Sequence, residues 1–222
     1  MIFIVEKLLK ERNMEQKSLF VITISRQLGS GGAYIGQQLA KNLDIFYADR
    51  EIISEASKKL RVVEKELETR EEKALFWRSL FESYVENTEN YLPTQIVAPI
   101  DRELYEAETE IIQHIANERS AVIIGRCGHY ILRRHPNHVS IFLHAGIDFR
   151  KSRVQAFFNV SEEEAMKMIV LNDKERGRYN HKYTGKDWTD VNQYNLSVDT
   201  SKIGVDKTVA VIMKYLELKG IK

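Results

Sequence analysis

Between Leu19 and Asp49 the chain reads LFVITISRQLGSGGAYIGQQLAKNLDIFYAD, an order of residue types that leaves few folds open. An apolar, β-rich run from Leu19 to Ile24 enters a loop with glycine at 29, 31 and 32. An amphipathic helix follows, its Ile35, Leu39 and Leu43 spaced four apart along one face. Strand, glycine loop and helix together lay out a phosphate cradle. The glycines let backbone N–H groups turn inward, and the helix start adds a partial positive charge. The full signature of such loops is G-x-x-x-x-G-K-[ST]. Aligned on Gly31, this chain has Arg26 at the first glycine, Gly32 in place of the lysine and Ala33 in place of the hydroxyl residue. The architecture is present and the two reactive side chains are absent. A blander alternative is a close-packing turn, with Gly36 and Ala40 as the small face of the helix.

Further along, strand and helix patterns alternate. Asp44 to Tyr47 predicts a short strand ending at Asp49, and residues 50–60 carry Ile52, Ile53, Ala56 and Leu60 at helical spacing. Residues 61–119 read as a helical insertion. A charged first part holds the acidic run Glu64 to Glu72 and the aromatics Phe76, Trp77, Phe81 and Tyr84. Pro93 and Pro99 then break the pattern, and a helix is predicted from Asp101 to Arg119. The continuous apolar run Ala121 to Ile124 predicts a strand buried on both faces. A short helix over Cys127 to Arg134 leads to a strand at Val139 to Leu143. Two helices follow at 147–158 and 162–176, the second opened by a capping box of Ser161 and Glu164. Leu196 to Val198 predicts a last strand, and Asp206 a cap for the final helix, which Gly220 closes. This alternation calls for an α/β fold with a parallel sheet.

Composition narrows the partners. With 33 Lys and Arg against 32 Asp and Glu, the chain has no general basic field for a nucleic-acid polymer. A small anion held by local arginines remains open. The single cysteine, Cys127, excludes an internal disulfide and suits a reducing compartment. No run approaches the ~20 apolar residues of a membrane span. The apolar start, Met1 to Val5, is too short for a signal peptide, so a cytoplasmic location is expected. The fold needs nothing before about Ser18, which makes Met1 and Met14 equally acceptable starts.

Ligands of parallel α/β sheets sit beyond the carboxyl ends of the strands. The residues there are Ser25, Arg26 and the glycine loop; Asp49 and Arg50; Gly125 and Arg126; Asp199 and Thr200. Arg150, Arg153, Arg176 and Arg178 follow the fourth strand. Polar and cationic groups thus converge on one edge. Phosphoryl transfer, which runs on positioning and charge neutralisation, needs such an edge, and the arginine fork binds phosphate oxygens in pairs. Asp173 and Arg176 have the spacing of a plain intrahelical ion pair. The six histidines show no zinc spacing with Cys127, which reads as a small buried residue. Trp188 and Tyr194 are candidates either to stack on a base or to hold the preceding helices closed.

Five segments in this order resemble the cytidylate kinase-like proteins, a branch of the P-loop nucleoside monophosphate kinases. They are ITISRQLGSGG, YADREII, VIIGRCGHYIL, NDKERGRY and YNLSVDTSKIG, and the resemblance covers about residues 20–218. It implies a three-layer P-loop NTPase-like core with a parallel sheet of about five strands, formed by 18–60 and 120–222 behind a tail at 1–17. It also implies a helical acceptor-binding insertion at 61–119 and a helical lid at 146–182. The activity implied is transfer from ATP with Mg²⁺ to a small phosphorylated acceptor, CMP or dCMP, with a homodimer left open. Arg26, Gly29, Ser30, Gly31, Gly32 and Ala33 then correspond to the ATP-binding loop, and Asp49, Arg50 and Arg126 to acceptor contacts. Arg150, Arg153 and Arg176 correspond to groups on the transferred phosphoryl, and Arg26, at the mouth of the loop, is expected to act in catalysis by supplying the missing positive charge. Asp173 is expected to orient Arg176, with Arg178 beside them. The chain departs from the family pattern at Gly32, Ala33 and Cys127, where established cytidylate kinases carry Lys, Ser or Thr, and Asp. A nucleotide binder without turnover and a kinase for a non-nucleotide acceptor are the alternatives.

Overall fold

The computed structural model describes residues 19–63 and 102–221, with the backbone alone at 50, 51 and 59–63. The expected tail and the part of the insertion at 64–101, with its acidic run, aromatics and prolines, lie outside the described residues. The elements run β1 (Val21–Arg26), α1 (Gly32–Leu43), β2 (Phe46–Ala48), α2 (Arg50–Val63), α3 (Arg102–Glu118), β3 (Ala121–Ile124) and α4 (Gly128–Ile131). They continue with β4 (His138–His144), α5 (Ile147–Phe158), α6 (Glu162–Thr184), β5 (Leu196–Asp199), α7 (Thr200–Ile203) and α8 (Val205–Leu218).

The five strands form one sheet in the order β2-β3-β1-β4-β5, each pair parallel. Alternate residues of the central strand face opposite layers. Ile22 and Ile24 pack with Ile35 and Leu39 of α1 and with Val209, Ile212 and Leu216 of α8. Val21 joins Ile53 of α2 and Ile111, Ile112 and Ile115 of α3 on the other side. Burying each such isoleucine is worth about 1.5–3 kcal/mol. Helices on both faces explain why β3 is buried throughout and reads as an unbroken apolar run. The result is the three-layer α/β core with a five-stranded parallel sheet.

Three local expectations shift. The helix expected at 162–176 continues to Thr184 as α6 and stops at Gly185, whose φ of 69° forms the C-cap. Gly177 does not break it, because Trp188 covers that turn: a Cβ there would lie 3.2 Å from the indole Nε1. The capping box at Ser161 and Glu164 forms as expected. The last helix is capped by Gly204 rather than Asp206. Asp206 sits in the first turn and accepts a hydrogen bond from the Tyr34 hydroxyl at 2.7 Å. The helix expected from Cys127 to Arg134 shortens to α4, since Arg126 and Cys127 hold left-handed φ values of 52° and 53°.

Candidate active site

The glycine loop leaves the carboxyl end of the central strand and turns into α1. Gly29 and Gly31 both have φ of 84°, a conformation that costs a side-chain-bearing residue about 1–2 kcal/mol. Space is equally restrictive. A Cβ at 29 would stand 2.8 Å from the Arg150 carbonyl oxygen, and one at 31 would meet a Val205 methyl at 2.5 Å. Ser30 is fully buried; its hydroxyl donates to the Gln27 carbonyl at 2.9 Å, and its N–H reaches the same oxygen at 3.3 Å. The Thr200 hydroxyl donates to the Ser30 carbonyl at 2.9 Å, tying the loop to the end of β5. Ser30, grouped in sequence with the ATP-binding residues, has its side chain turned inward as a brace.

Helix α1 starts without a side-chain cap and without an acidic residue in its first turn. Its unpaired first-turn N–H groups are therefore available to an anion. In front of them is a cavity of about 240 Å³ lined by the loop, by Tyr34 and Gln37 of α1, by Tyr47 and Asp49 at the end of β2, and by Val154, Phe157 and Phe158 of α5. Arg26, Arg153 and Arg176 also line it. The Arg176 Nη1 donates to the Arg26 carbonyl at 2.7 Å, which holds α6 at the mouth of the loop. Arg153 reaches in from α5, its Nη2 3.6 Å from where a Cβ on Gly31 would lie.

The other expected cations are elsewhere. Arg150 is buried, donating from Nε to the Leu28 carbonyl at 2.7 Å and pairing with Asp173 at 2.5 Å. The Asp173 carboxylate also accepts the Leu28 N–H at 3.3 Å. The carboxylate expected to orient Arg176 thus clamps Arg150 to the loop backbone, and Arg150 braces the site rather than lining the cavity. Arg178 forms a surface pair with Glu175 at 2.6 Å, a contact that screening leaves weak.

Asp49 is buried at the cavity wall and also accepts the Ile52 N–H at 3.1 Å, so it starts α2. Arg50 opens that helix, and its side chain lies outside the described residues. Arg126 is buried against Glu108 of α3, with Nη2 and Oε1 2.9 Å apart but out of hydrogen-bond alignment, so the attraction is Coulombic. The Tyr179 hydroxyl of α6 donates to the other Glu108 oxygen at 2.9 Å, and burial beside that carboxylate drives its pKa far upward. Glu108 was not singled out in the sequence. Its signal was present: a lone carboxylate in phase with the apolar face of Ile111, Ile112 and Ile115 calls for a buried partner.

Cys127 is buried, as expected, and donates its thiol to Asn180 at 3.3 Å; burial pushes its pKa up to about 12. Trp188 and Tyr194 pack on Phe142, and the Tyr194 hydroxyl donates to the Trp188 carbonyl at 2.8 Å. Both belong to the return from α6. Among the described residues, no three His, Cys, Asp or Glu side chains cluster as a metal site, and no helix is long and apolar enough to cross a membrane.

Known proteins carry the same layout. A cytidylate kinase of Sulfurisphaera tokodaii is 25% identical over 196 residues, 88% of this chain and 94% of the relative. One of Pyrococcus abyssi is 28% identical over 202 residues, 90% of this chain and 96% of the relative. The crystal structure of an uncharacterized protein from Eubacterium ventriosum matches with a TM-score of 0.68 at 26% identity, covering 89% of this chain and 98% of its own. The family model of the cytidylate kinase-like family matches residues 21–202, from the start of the central strand into the short helix after the last one, and the chain belongs to that family.

Proposed function

We propose that this protein is an ATP-dependent nucleoside monophosphate kinase, most readily of CMP or dCMP, acting in the cytoplasm. The observation that carries the reading is the meeting of an uncapped helix start with Arg153 and Arg176 in one cavity. A polyanion fits that arrangement and an uncharged ligand does not. In this reading 18–60 and 120–222 form the core, 61–119 receives the acceptor, and 146–182 is the lid. An oxygen of the acceptor phosphate attacks the γ-phosphorus, the bond from that phosphorus to the β–γ bridging oxygen breaks, and ADP leaves. Backbone N–H groups of the loop hold the donor phosphates, while Arg153 and Arg176 neutralise charge on the moving phosphoryl group. Asp49 and Arg126 serve the acceptor side.

Mg²⁺ enters with ATP, but the position of the usual Ser or Thr offers it no hydroxyl. Ala33 has none, and the Ser30 hydroxyl is buried on the Gln27 carbonyl. That absence, together with Gly32, supports one rival, a nucleotide binder without turnover. The deciding experiment follows ADP release from ATP and Mg²⁺ with each nucleoside monophosphate, alongside calorimetric ATP titration. Conversion of CMP or dCMP to the diphosphate is the expected result. ATP binding with no acceptor phosphorylated would replace the kinase by the binder, and turnover with a non-nucleotide acceptor alone would redirect the substrate class.

A further inference from the structure

The loop's missing lysine and its added arginine occupy the same space. A Cβ placed on Gly32 would stand 2.6 Å from Arg26 Cγ and 2.7 Å from Arg26 Cβ. The Arg26 stem therefore lies across the bare Cα of Gly32, where a side chain at the lysine position would have to begin. Its guanidinium ends over Gly125 at the carboxyl end of β3, and a Cβ there would collide with Nη1. Arg26 and Gly32 both line the cavity that α1 opens onto. The charge thus starts from the last residue of β1 and crosses the start of α1, between the phosphate loop and the turn after β3 that carries Arg126.

We infer that Arg26 and Gly32 are an exchanged pair, in which the phosphate-binding cation has moved from the first helical residue to the end of the strand and glycine at 32 makes room for it. This rests on the kinase reading for its catalytic part only; the binding part stands for any nucleoside triphosphate in the loop. The pairing is reciprocal. Lysine at 32 cannot coexist with Arg26, and glycine at 26 restores the first glycine of the standard signature. The guanidinium also differs from an ammonium in kind, since its planar fork contacts two phosphate oxygens at once.

The test uses the full chain in five forms: wild type, Arg26→Met, Arg26→Gly, Gly32→Lys and the double variant Arg26→Gly with Gly32→Lys. Calorimetric titration with ATP and Mg²⁺ reads binding, CMP-dependent ADP release reads turnover, and thermal melting reads folding. Arg26→Met keeps a stem over Gly32 and removes the charge. It is expected to melt near wild type while ATP affinity falls about tenfold or more and kcat falls about 10²–10³-fold, the range for loss of a charge-stabilising donor. Gly32→Lys alone is expected to bind ATP poorly, and the double variant to recover to within about tenfold of wild type. Wild-type ATP affinity in Arg26→Met, or a folded double variant no better than Arg26→Gly, would overturn the exchange. A wild-type protein that binds ATP and phosphorylates nothing would instead remove the kinase reading, and the binding series would still judge the pair.

Discussion

Arginines of one composition do different work in this site, and mutation separates them. Arg153 and Arg176 reach the cavity, whereas Arg150 is spent on Leu28 and Asp173. Arg153→Ala and Arg176→Ala should each lower kcat by about 10²–10³-fold with smaller changes in ATP affinity, because charge on the phosphoryl group peaks in the transition state. Arg150→Ala should instead destabilise the fold by about 2–4 kcal/mol by leaving the Asp173 carboxylate without its buried partner. Arg178→Ala should stay within about 0.5 kcal/mol and leave kinetics unchanged. Steady-state kinetics beside urea titration measures all four. Residue types and their convergence on one edge could be read from the sequence. Which guanidinium faces the cavity could not, because Arg150 and Arg153 are neighbours on one helix and only the approach of Gly29 to the Arg150 backbone decides between them.

Elements were legible where apolar runs or caps mark them. All five expected strands form, and β3 matches end to end, because burial on both faces leaves a continuous signal; β2, expected from Asp44 to Tyr47, starts only at Phe46, since Asp44 is the left-handed C-cap of α1. The helix expected at 162–176 runs on through Gly177, over which Trp188 packs, a contact from a distant segment that the local pattern does not carry. Strand order is a pairing of distant segments and leaves no mark in any one of them. Histidines on α4 and β4 add a property that follows from placement. Burial lowers the pKa of His129 to about 4, with nearby Lys186 adding to the shift and a Gln193 hydrogen bond opposing it. His138 also falls to about 4, through burial and then through His135, His129 and Lys219. Both remain neutral in the fold while the unfolded chain binds protons below about pH 6.5, so stability rises with pH across that window. Acidification from 7 to 4 should cost of the order of 3 kcal/mol through His129 and a similar amount through His138. Urea midpoints between those pH values should fall in wild type and fall less in His129→Asn.

At the scale of the molecule, the sheet gathers its cavity-lining groups at one edge, and the remaining elements close around them. One of these closures joins α3 to α6 through a few aromatic and charged side chains. Tyr105 stacks on Tyr183 with ring centres 3.8 Å apart, Tyr179 lies edge-on to both rings, and Glu108 joins Tyr179 to Arg126. The return helix of the expected insertion is thus fastened to the helix that supplies Arg176. Two segments bound through a shared stack and a buried charge cannot loosen separately without exposing both. Amide hydrogens of α3 and of the second half of α6 should therefore exchange with solvent at one common opening free energy, as a single cooperative unit. Tyr183→Ala should lower protection in both helices together, as read by mass-resolved deuterium uptake, while β1 and β4 keep theirs. The two helices then share one clock, and whatever steadies either of them slows the breathing of the other.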